Sequence, residues 1–282
     1  MMCNIPNLDE LISMALKEDV GDGDHSSLAC IPPTAQASAK MVAKQDGIVC
    51  GLEVAQRVFT IVNPLLNVAL LKEDGDKVSK GEVLMVVDGP SISILTAERT
   101  ALNFIQRLSG IATQTNAMVS KIADLHTRLL DTRKTTPNMR LLEKYAVKCG
   151  GGTNHRIGLY DMIMLKDNHI DFAGGIEPAI DRTHDYLKRQ GKNLKIEIEV
   201  RDLDELDRVL AHGGIDRIML DNFDVETLKA AVARIDGRYE TEASGGITDE
   251  TLRPYAETGV DFISVGALTH HIKSMDISLV KK

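Results

Sequence analysis

A dense group of basic residues interrupts an otherwise acidic sequence between Arg133 and Lys166. The 282-residue chain has a formal net charge of -8, but this stretch contains seven Lys or Arg residues and only two acids. The overall charge argues against nucleic acid as a partner, whereas the local excess indicates a small anionic ligand or, alternatively, a solvated helix face. Because guanidinium groups pair bidentately with carboxylates, Arg133 and Arg156, with His155 and Lys166, form a candidate anion pocket.

Two carboxylates lie at the ends of neighbouring apolar runs. Glu199 is the last acid of "KIEIEV", one residue before its end, and Asp221 ends "RIMLD", with no histidine or cysteine beside either. Oxygen donors of this kind suit Mg²⁺, which keeps several waters and bridges to substrate phosphates. The alternative is that both acids form ion pairs with Arg133, Lys134 or Lys166.

Two glycine-containing turns follow later apolar runs. Ser244 and Gly245 lie in "EASGGI", and Gly266 lies in "SVGALTH". Glycine lets a ligand oxygen approach backbone N–H groups, so these turns predict a phosphate site. The alternative is that the glycines serve only a tight turn with positive φ.

The stretch "CGGGTNHR", from Cys149 to Arg156, brings the basic residues toward such a site. A helix is predicted to start after Pro137 and to end at Gly150. The remaining glycines allow the sharp turn that lets His155 and Arg156 face the ligand.

The second part of the chain alternates short apolar strands with helices at a spacing of about 22 residues, which predicts parallel strands. A closed or nearly closed β/α barrel fits this repeat better than an open doubly wound sheet. Barrel active sites form where the strands end, and the candidate residues occupy those positions. The predicted strands are 128–132, 162–166, 195–200, 217–221, 239–245 and 261–266.

The first part is mixed α and β. "NLDELISMALKED" predicts an amphipathic helix, and four β-like runs follow it. Residues 73–90 are similar to biotinyl or lipoyl carrier hairpins but lack the exposed lysine of a carrier. This favours a purely structural role for the hairpin, and the alternative is a carrier or binding module at 72–90. The scattered cysteines and the lack of a signal peptide or a long apolar run predict a cytoplasmic protein without a membrane span.

"DTRKTTPNMRLLEKYAVKCGGGTNHRIGLYDMIMLKDNHI" resembles the core signature of quinolinate phosphoribosyltransferase, the carboxylating nicotinate-nucleotide pyrophosphorylase. "AERTALNFIQRLSGIAT", "MLDNF", "EASGGI" and "SVGALTH" resemble other blocks of that family in the same order. One departure is Asn138, where the family usually has glycine; asparagine tolerates such backbone positions.

The resemblance implies a fold and an activity. It implies an N-terminal α/β sandwich domain at 1–112, an incomplete, seven-stranded β/α barrel at 113–270, and a tail at 271–282 that packs back on the first domain. Members of this pentosyltransferase family transfer the phosphoribosyl group of phosphoribosyl pyrophosphate to quinolinate. They release pyrophosphate and carbon dioxide and form nicotinate mononucleotide for NAD synthesis. They work as homo-oligomers in which one subunit covers the barrel mouth of another; dimer and hexamer both stay open.

The resemblance also assigns the site residue by residue. The implied quinolinate pocket is Arg99, supplied across the subunit interface, with Arg133, His155, Arg156 and Lys166. The implied phosphoribosyl pyrophosphate contacts are Thr132, Lys134, Ser244, Gly245, Gly266 and His270. Glu199 and Asp221 are the implied Mg²⁺ ligands, and the implied catalytic residues are Lys134, Lys166, Glu199 and Asp221. His155 is either a ligand contact or a structural histidine.

Two other enzymes fit parts of the pattern. One is a paralogue of the same fold, similar to the molybdenum-transport-associated protein ModD, whose substrate differs. The other is a barrel aldolase that uses Lys166 as a Schiff base.

Overall fold

The computed structural model describes residues 5–282 and divides the chain into two compact units. The first unit contains the described residues up to Asn116, together with Thr135–Gly151 and Leu268–Lys282. The second contains Ala117–Lys134 and Gly152–Ala267. This division assigns Thr135–Gly151 to the first unit; the domain boundary at 112/113 stays a prediction.

The first unit contains an antiparallel sheet of four strands in the order β12-β1-β5-β3. The C-terminal strand β12 pairs with β1, so the tail lies on this sheet. The helices are α1 (Leu8–Val20), α2 (His25–Cys30), α3 (Leu52–Val62), α4 (Ser91–Ser120) and α5 (Arg140–Cys149). The strands are β1 (Gln36–Ala43), β2 (Gly47–Ile48), β3 (Asn67–Leu70), β4 (Lys77–Val78), β5 (Val83–Pro90) and β12 (Ile277–Lys281).

The predicted helices of this unit are confirmed. In α1 the side chains of Leu8, Ile12 and Leu16 are buried, as their helical spacing predicts. Helix α5 begins after Pro137 and ends before Gly150, which approaches α4 so closely that an added Cβ would lie 2.6 Å from Cβ of Thr115. The first glycine of the triplet is therefore required by packing against α4.

The second unit contains six parallel strands in the order β6-β11-β10-β9-β8-β7. All six strands predicted from the sequence are confirmed, within three residues at each end. The strands are β6 (Arg128–Leu130), β7 (Ile163–Leu165), β8 (Ile196–Val200), β9 (Arg217–Asp221), β10 (Glu240–Ser244) and β11 (Phe262–Ser264). The helices are α6 (Asp167–Ala173), α7 (Ile176–Gln190), α8 (Leu203–His212), α9 (Val225–Ile235) and α10 (Leu252–Ala256); the short helix α11 (Ala267–His270) follows β11.

Capping carboxylates begin the helices that follow β8 and β9. Asp202 accepts the backbone N–H of Glu205 at 2.8 Å, and Asp224 accepts that of Thr227 at 2.8 Å. An N-cap side chain satisfies a backbone donor that the helix leaves unpaired. The two caps fix where the chain turns after each strand, next to Glu199 and Asp221.

The strand count differs from the seven that the family resemblance implies. Within residues 5–282 the parallel sheet has six strands and is not closed; beside β6 lies only an isolated parallel bridge between Leu130 and Thr153. Immediately beyond Thr153, the carboxylate of Asp131 accepts the N–H of His155 at 2.9 Å and binds the side chain of Asn154. These side-chain bonds replace the ladder bonds that a seventh strand would need.

Among the described residues, no helix combines the length and apolar character that a membrane crossing requires.

Candidate functional site

The carboxyl ends of the six parallel strands lie at one edge of the sheet, which we call the rim. Asp221 and Ser244 are register partners at the ends of β9 and β10. Glu199 lies on the adjacent strand β8, whose register partner on β9 is Met219. Register partners on parallel strands project from the same face of the sheet, so Glu199 shares a face with Met219, and Asp221 shares a face with Ser244. Met219 and Asp221 are two residues apart on β9 and lie on one face, so Glu199, Asp221 and Ser244 all project from that face. The structure therefore brings these three predicted residues together.

Each rim carboxylate has a partner within its own unit. Glu199 Oε2 accepts a hydrogen bond from Lys166 Nζ at 2.9 Å, and Asp221 Oδ2 accepts one from Asn222 Nδ2 at 2.6 Å. Glu199 is almost completely buried, whereas Lys166 is half-exposed. The rim thus presents one carboxylate that is already paired with a predicted substrate-binding lysine.

Gly245 permits the turn after β10. It has a φ of 102°, and an added Cβ would collide with the side chain of Asn222 and lie 2.8 Å from its backbone nitrogen. The next residue, Gly246, also has a positive φ of 62° and has open space where a Cβ would stand. The turn therefore needs glycine for both its conformation and its close packing, and open space remains above Gly246.

Arg133 and Arg156 face the same region of the second unit. Arg156 Nη1 donates to the carbonyl oxygen of Met162 at 3.2 Å, and Nη2 lies 3.6 Å from Sδ of Met164, so the guanidinium lies along β7, whose carboxyl end carries Lys166. Partial burial and repulsion from Arg133 lower the pKa of Arg156. Two like charges held near each other out of bulk water favour an anion between them.

Asp131 holds the backbone close to both of these arginines. It is fully buried at the end of β6, directly before Thr132 and Arg133. Its carboxylate accepts the His155 N–H and the Asn154 side chain, so it fixes the chain just before Arg156. A buried carboxylate with several such donors orients a loop strongly. Sequence reasoning did not predict this role for Asp131.

His155 lies below the rim and is only 8% exposed. Its Nε2 is 3.0 Å from Glu197 Oε2 and 3.2 Å from Glu242 Oε2. Burial of the ring opposes the charge on His155, but these two carboxylates outweigh it and raise the pKa of His155 to about 9. The Arg156 backbone N–H lies 2.7 Å from Nδ1 and favours the neutral ring, an influence weaker than that of two buried carboxylates.

Arg217 completes this group, which we call the floor cluster: His155, Glu197, Arg217 and Glu242. Arg217 donates to Glu242 Oε2 at 3.1 Å, and its guanidinium lies 4.1 Å from the centroid of the Phe262 ring. Burial opposes the charge on Glu242, but His155 and Arg217 hold its pKa below the usual range. Burial and repulsion from Glu242 raise the pKa of Glu197 to about 7.

The floor cluster has the geometry of a possible metal site but the charge of an ion-pair network. The ligand atoms of His155, Glu197 and Glu242 all lie within 4.8 Å of one another. However, Arg217 and protonated His155 already balance the two carboxylates, and a divalent ion would lie beside the Arg217 guanidinium. We therefore interpret the cluster as structural support for the rim.

The sequence contains a signal for two members of the floor cluster. In "KIEIEV", Glu197 precedes Glu199 by two residues, and in "YETEASG", Glu242 precedes Ser244 by two. A period of two puts each pair on one face of its strand. On the face of each strand that carries Glu199 or Ser244, the next side chain below the rim is therefore an acid, Glu197 or Glu242.

The remaining predicted residues lie at known places in the fold, and their roles stay predictions. Thr132 Oγ1 accepts the N–H of Lys134 at 3.0 Å, in the segment that follows β6. Gly266 follows β11 in the second unit, whereas Arg99, exposed on α4, and His270, at the end of α11, belong to the first unit. Asn138 has a φ of 64°, which confirms that asparagine occupies a backbone conformation that favours glycine.

Comparison with known proteins gives a consistent result. Residues 24–109 match the family "Quinolinate phosphoribosyl transferase, N-terminal domain", and residues 111–280 match its "C-terminal domain". The chain is 46% identical over 288 residues to the chloroplastic carboxylating nicotinate-nucleotide pyrophosphorylase of Oryza sativa, covering 97% of this chain and 77% of the rice protein. It is 42% identical to the probable enzyme of that name from Bacillus subtilis, covering 96% and 92%.

A solved structure agrees. The nicotinate-nucleotide pyrophosphorylase from Francisella tularensis superposes with a TM-score of 0.93 at 42% identity, covering 99% of this chain and 98% of that one. The mixed α/β fold, with one antiparallel and one parallel sheet, is therefore the fold of these enzymes.

Proposed function

This chain belongs to the quinolinate phosphoribosyltransferase family, and we propose that it transfers the phosphoribosyl group of phosphoribosyl pyrophosphate to quinolinate. The products are nicotinate mononucleotide, pyrophosphate and carbon dioxide, in the de novo synthesis of NAD. The enzyme is accordingly a decarboxylating pentosyltransferase.

The observation that carries this proposal is the pair of arginines at the rim. Partial burial and the nearby positive charge of Arg133 lower the pKa of Arg156, so the Arg156 guanidinium is held charged at a cost. Quinolinate is a dianion, so it relieves this repulsion when its carboxylates bind the two guanidinium groups. Lys166 adds a third positive group at the end of β7.

We propose that Glu199 and Asp221 hold Mg²⁺. Both offer carboxylate oxygens at the ends of adjacent strands, and this hard cation prefers such donors. When bound, the ion supplies positive charge near the pyrophosphate leaving group. Lys166 is then free to leave Glu199 Oε2 and to contact a substrate carboxylate.

The chain's own residues bind and orient the two anions. Because both substrates are negatively charged, they repel each other in water, and the cations of the rim offset this repulsion. Lys134 and the turn of Ser244 and Gly245 are proposed to bind phosphate oxygens, because Gly246 leaves open space at this turn for a ligand oxygen to approach the backbone. Thr132, Gly266 and His270 are proposed as further phosphate contacts.

No protein nucleophile is needed for the transfer. The pyridine nitrogen of quinolinate attacks the sugar carbon as the bond to pyrophosphate breaks, and the carbon becomes oxocarbenium-like. Loss of the 2-carboxylate then leaves negative charge beside a cationic ring nitrogen, which stabilises it within the substrate. Orientation by Arg133, Arg156 and Lys166 therefore supplies much of the rate.

The aldolase alternative fits the geometry less well. A Schiff-base lysine is activated by an apolar pocket or a neighbouring cation, whereas Lys166 forms an ion pair with Glu199. We expect no borohydride trapping of a carbonyl substrate on Lys166, measured by mass spectrometry of the treated protein.

The deciding experiment compares quinolinate with nicotinate as the acceptor. We expect nicotinate mononucleotide and stoichiometric carbon dioxide from quinolinate and phosphoribosyl pyrophosphate, and no product from nicotinate. The readouts are chromatography of the nucleotide and release of label from quinolinate labelled in its 2-carboxylate. Turnover of nicotinate without turnover of quinolinate would reject the proposal. Turnover of quinolinate would count against the ModD-like paralogue, whose substrate differs.

We also propose a homo-oligomer in which Arg99 reaches the site of another subunit. The support is that Arg99 is exposed on α4 while its neighbours Ala97 and Thr100 are buried. Arg99→Ala and Arg133→Ala subunits, assayed at a quinolinate concentration near the wild-type KM where each alone is nearly inactive, are expected to regain partial activity when mixed. Two Arg133→Ala preparations mixed in the same way are the control, and no recovery after proven subunit exchange would place Arg99 in its own site.

A cytoplasmic location is proposed from the unpaired cysteines. Cys30, Cys50 and Cys149 are free thiols, as expected in a reducing compartment. The rice relative is named as chloroplastic, so fractionation of the source cells with a compartment marker is the appropriate test.

A further inference from the structure

A buried ion pair joins two helices of the first unit at a place that the proposed mechanism does not use. Arg107 of α4 donates to Glu143 Oε1 of α5 through Nε at 2.9 Å and through Nη2 at 2.7 Å. The Glu143 side chain is 0% exposed and that of Arg107 is 30% exposed. Removing one partner of such a pair is costly, because the other charge stays buried.

The same pair holds the segment that follows Lys134. The Thr136 N–H donates to Glu143 Oε2 at 3.1 Å, and Arg107 Nη2 donates to Thr136 Oγ1 at 2.8 Å. Thr136 lies two residues after Lys134, in a stretch without helix or strand. Both the backbone and the side chain of this residue are therefore fixed by one ion pair.

Arg107 also contacts the segment that carries His270. Its Nη2 donates to the carbonyl oxygen of Thr269 at 3.3 Å, and Thr269 is fully buried. Thr269 directly precedes His270 in the short helix α11. One guanidinium therefore contacts Thr136, two residues after Lys134, and Thr269, which directly precedes His270.

We propose that Arg107 and Glu143 are positioning residues for phosphoribosyl pyrophosphate: the pair sets the positions of Thr136 and Thr269, and through them those of Lys134 and His270. Neither member of the pair is assigned to a substrate contact. This inference rests on the proposed function, and it identifies the substrate whose binding the pair supports. Positioning partners of this kind typically change affinity or activity without contacting the ligand.

The test compares the two substrates in variants of the pair. Glu143→Gln keeps the shape of the side chain but cannot accept both the Arg107 and the Thr136 donors as a carboxylate does. We expect its KM for phosphoribosyl pyrophosphate to rise about tenfold or more, and its KM for quinolinate to change by less than about twofold. Arg107→Lys, which keeps the charge but loses the fork, is expected to show the same selectivity with a smaller rise.

The control is Arg57→Ala, which removes an exposed ion pair with Asp9 between α1 and α3 of the same unit. Both KM values are expected to match those of the wild type. Titration calorimetry with phosphoribosyl pyrophosphate gives a readout without turnover, and Arg107→Lys carries the test if Glu143→Gln does not fold.

Equal rises in both KM values, or a lower kcat with both KM values unchanged, would show a merely structural role and overturn the inference while the wild type stays active. A wild-type enzyme that fails to use quinolinate would instead overturn the proposed function and this inference with it.

Discussion

The rim and the floor cluster of the second unit contain the same kinds of side chain but differ in charge balance. In the floor cluster, two basic groups, His155 and Arg217, face two acidic groups, Glu197 and Glu242. At the rim, four cations, Arg133, Lys134, Arg156 and Lys166, outnumber the three carboxylates, Asp131, Glu199 and Asp221. The floor cluster is also buried, whereas Lys166 and the segment around Arg133 remain accessible.

This difference separates a structural role from a binding role. Buried charges persist in a fold when their partners are protein groups, and a cluster that is balanced in this way needs no ligand. An excess of cations that is only partly desolvated costs free energy until an anion arrives. The rim therefore has an electrostatic reason to bind a dianion, and the floor cluster has none.

The largest expected effect follows from unbalancing the floor cluster. Glu242→Gln leaves Arg217 and His155 with one buried carboxylate fewer, so we expect the free energy of unfolding to fall by about 3–5 kcal/mol. Urea unfolding followed by circular dichroism measures it. Glu240→Gln on the same strand, where the carboxylate is partly exposed, is the control, with an expected loss below about 1 kcal/mol. Similar losses in both variants would contradict the distinction between the floor cluster and exposed pairs.

The second effect concerns the rim. Arg133→Ala removes a guanidinium that is proposed to pair bidentately with a carboxylate of quinolinate. We therefore expect the KM for quinolinate to rise about a hundredfold and the KM for phosphoribosyl pyrophosphate to change far less. Steady-state kinetics with each substrate varied in turn measures both values. Arg128→Ala, at the exposed start of β6, the strand that precedes Arg133, is the matched control and should leave both KM values unchanged. Equal losses for the two substrates would remove Arg133 from the quinolinate pocket.

The sequence predicted the rim much better than the floor cluster. Glu199, Asp221 and Ser244 were identified because each ends an apolar run, and strand ends meet at one edge of a parallel sheet. Glu197 and Glu242 lie inside those runs, where a charged residue on an alternating strand normally indicates a solvent-exposed face. Only the structure shows that β8 is buried throughout its length, so that Glu197 points into the protein and not into water.

The fold was predictable to a similar degree. Apolar runs and helical spacing predicted all six parallel strands, since these patterns are local. The count of seven strands could not be checked from the spacing. Whether a strand continues beyond the bridge at Thr153 depends on Asp131, 22 positions earlier, whose carboxylate accepts the His155 N–H. The ion pair between Arg107 and Glu143 could not be predicted for the same reason, because its partners are 36 residues apart and lie on separate helices.

A third prediction tests the proposed metal ligands of the rim. Glu199→Ala with Asp221→Ala removes both carboxylates, so we expect the Mg²⁺ concentration for half-maximal activity to rise about tenfold or more. A titration of activity against Mg²⁺ measures it, and Glu226→Ala, an exposed acid on α9, is the control. An unchanged titration would exclude these two residues as ligands.

The smallest effect, taken per pH unit, is the dependence of stability on pH that the floor cluster imposes. The pKa of His155 is raised to about 9 from 6.5, so its stabilising charge is fully present below pH 6.5 and is lost as the pH rises through 9. Glu197, with its pKa raised to about 7, already lowers stability as the pH rises from 4.5 to 7. Between pH 7 and 9 the slope therefore belongs mainly to His155, and it cannot exceed about 1.4 kcal/mol per pH unit for one proton. Urea unfolding at steps of pH measures it, and His155→Gln should abolish the decline in this window. A wild-type stability that rises from pH 7 to 9, or a variant that declines equally, would mean that His155 is neutral and that the floor cluster carries an uncompensated negative charge beneath the rim.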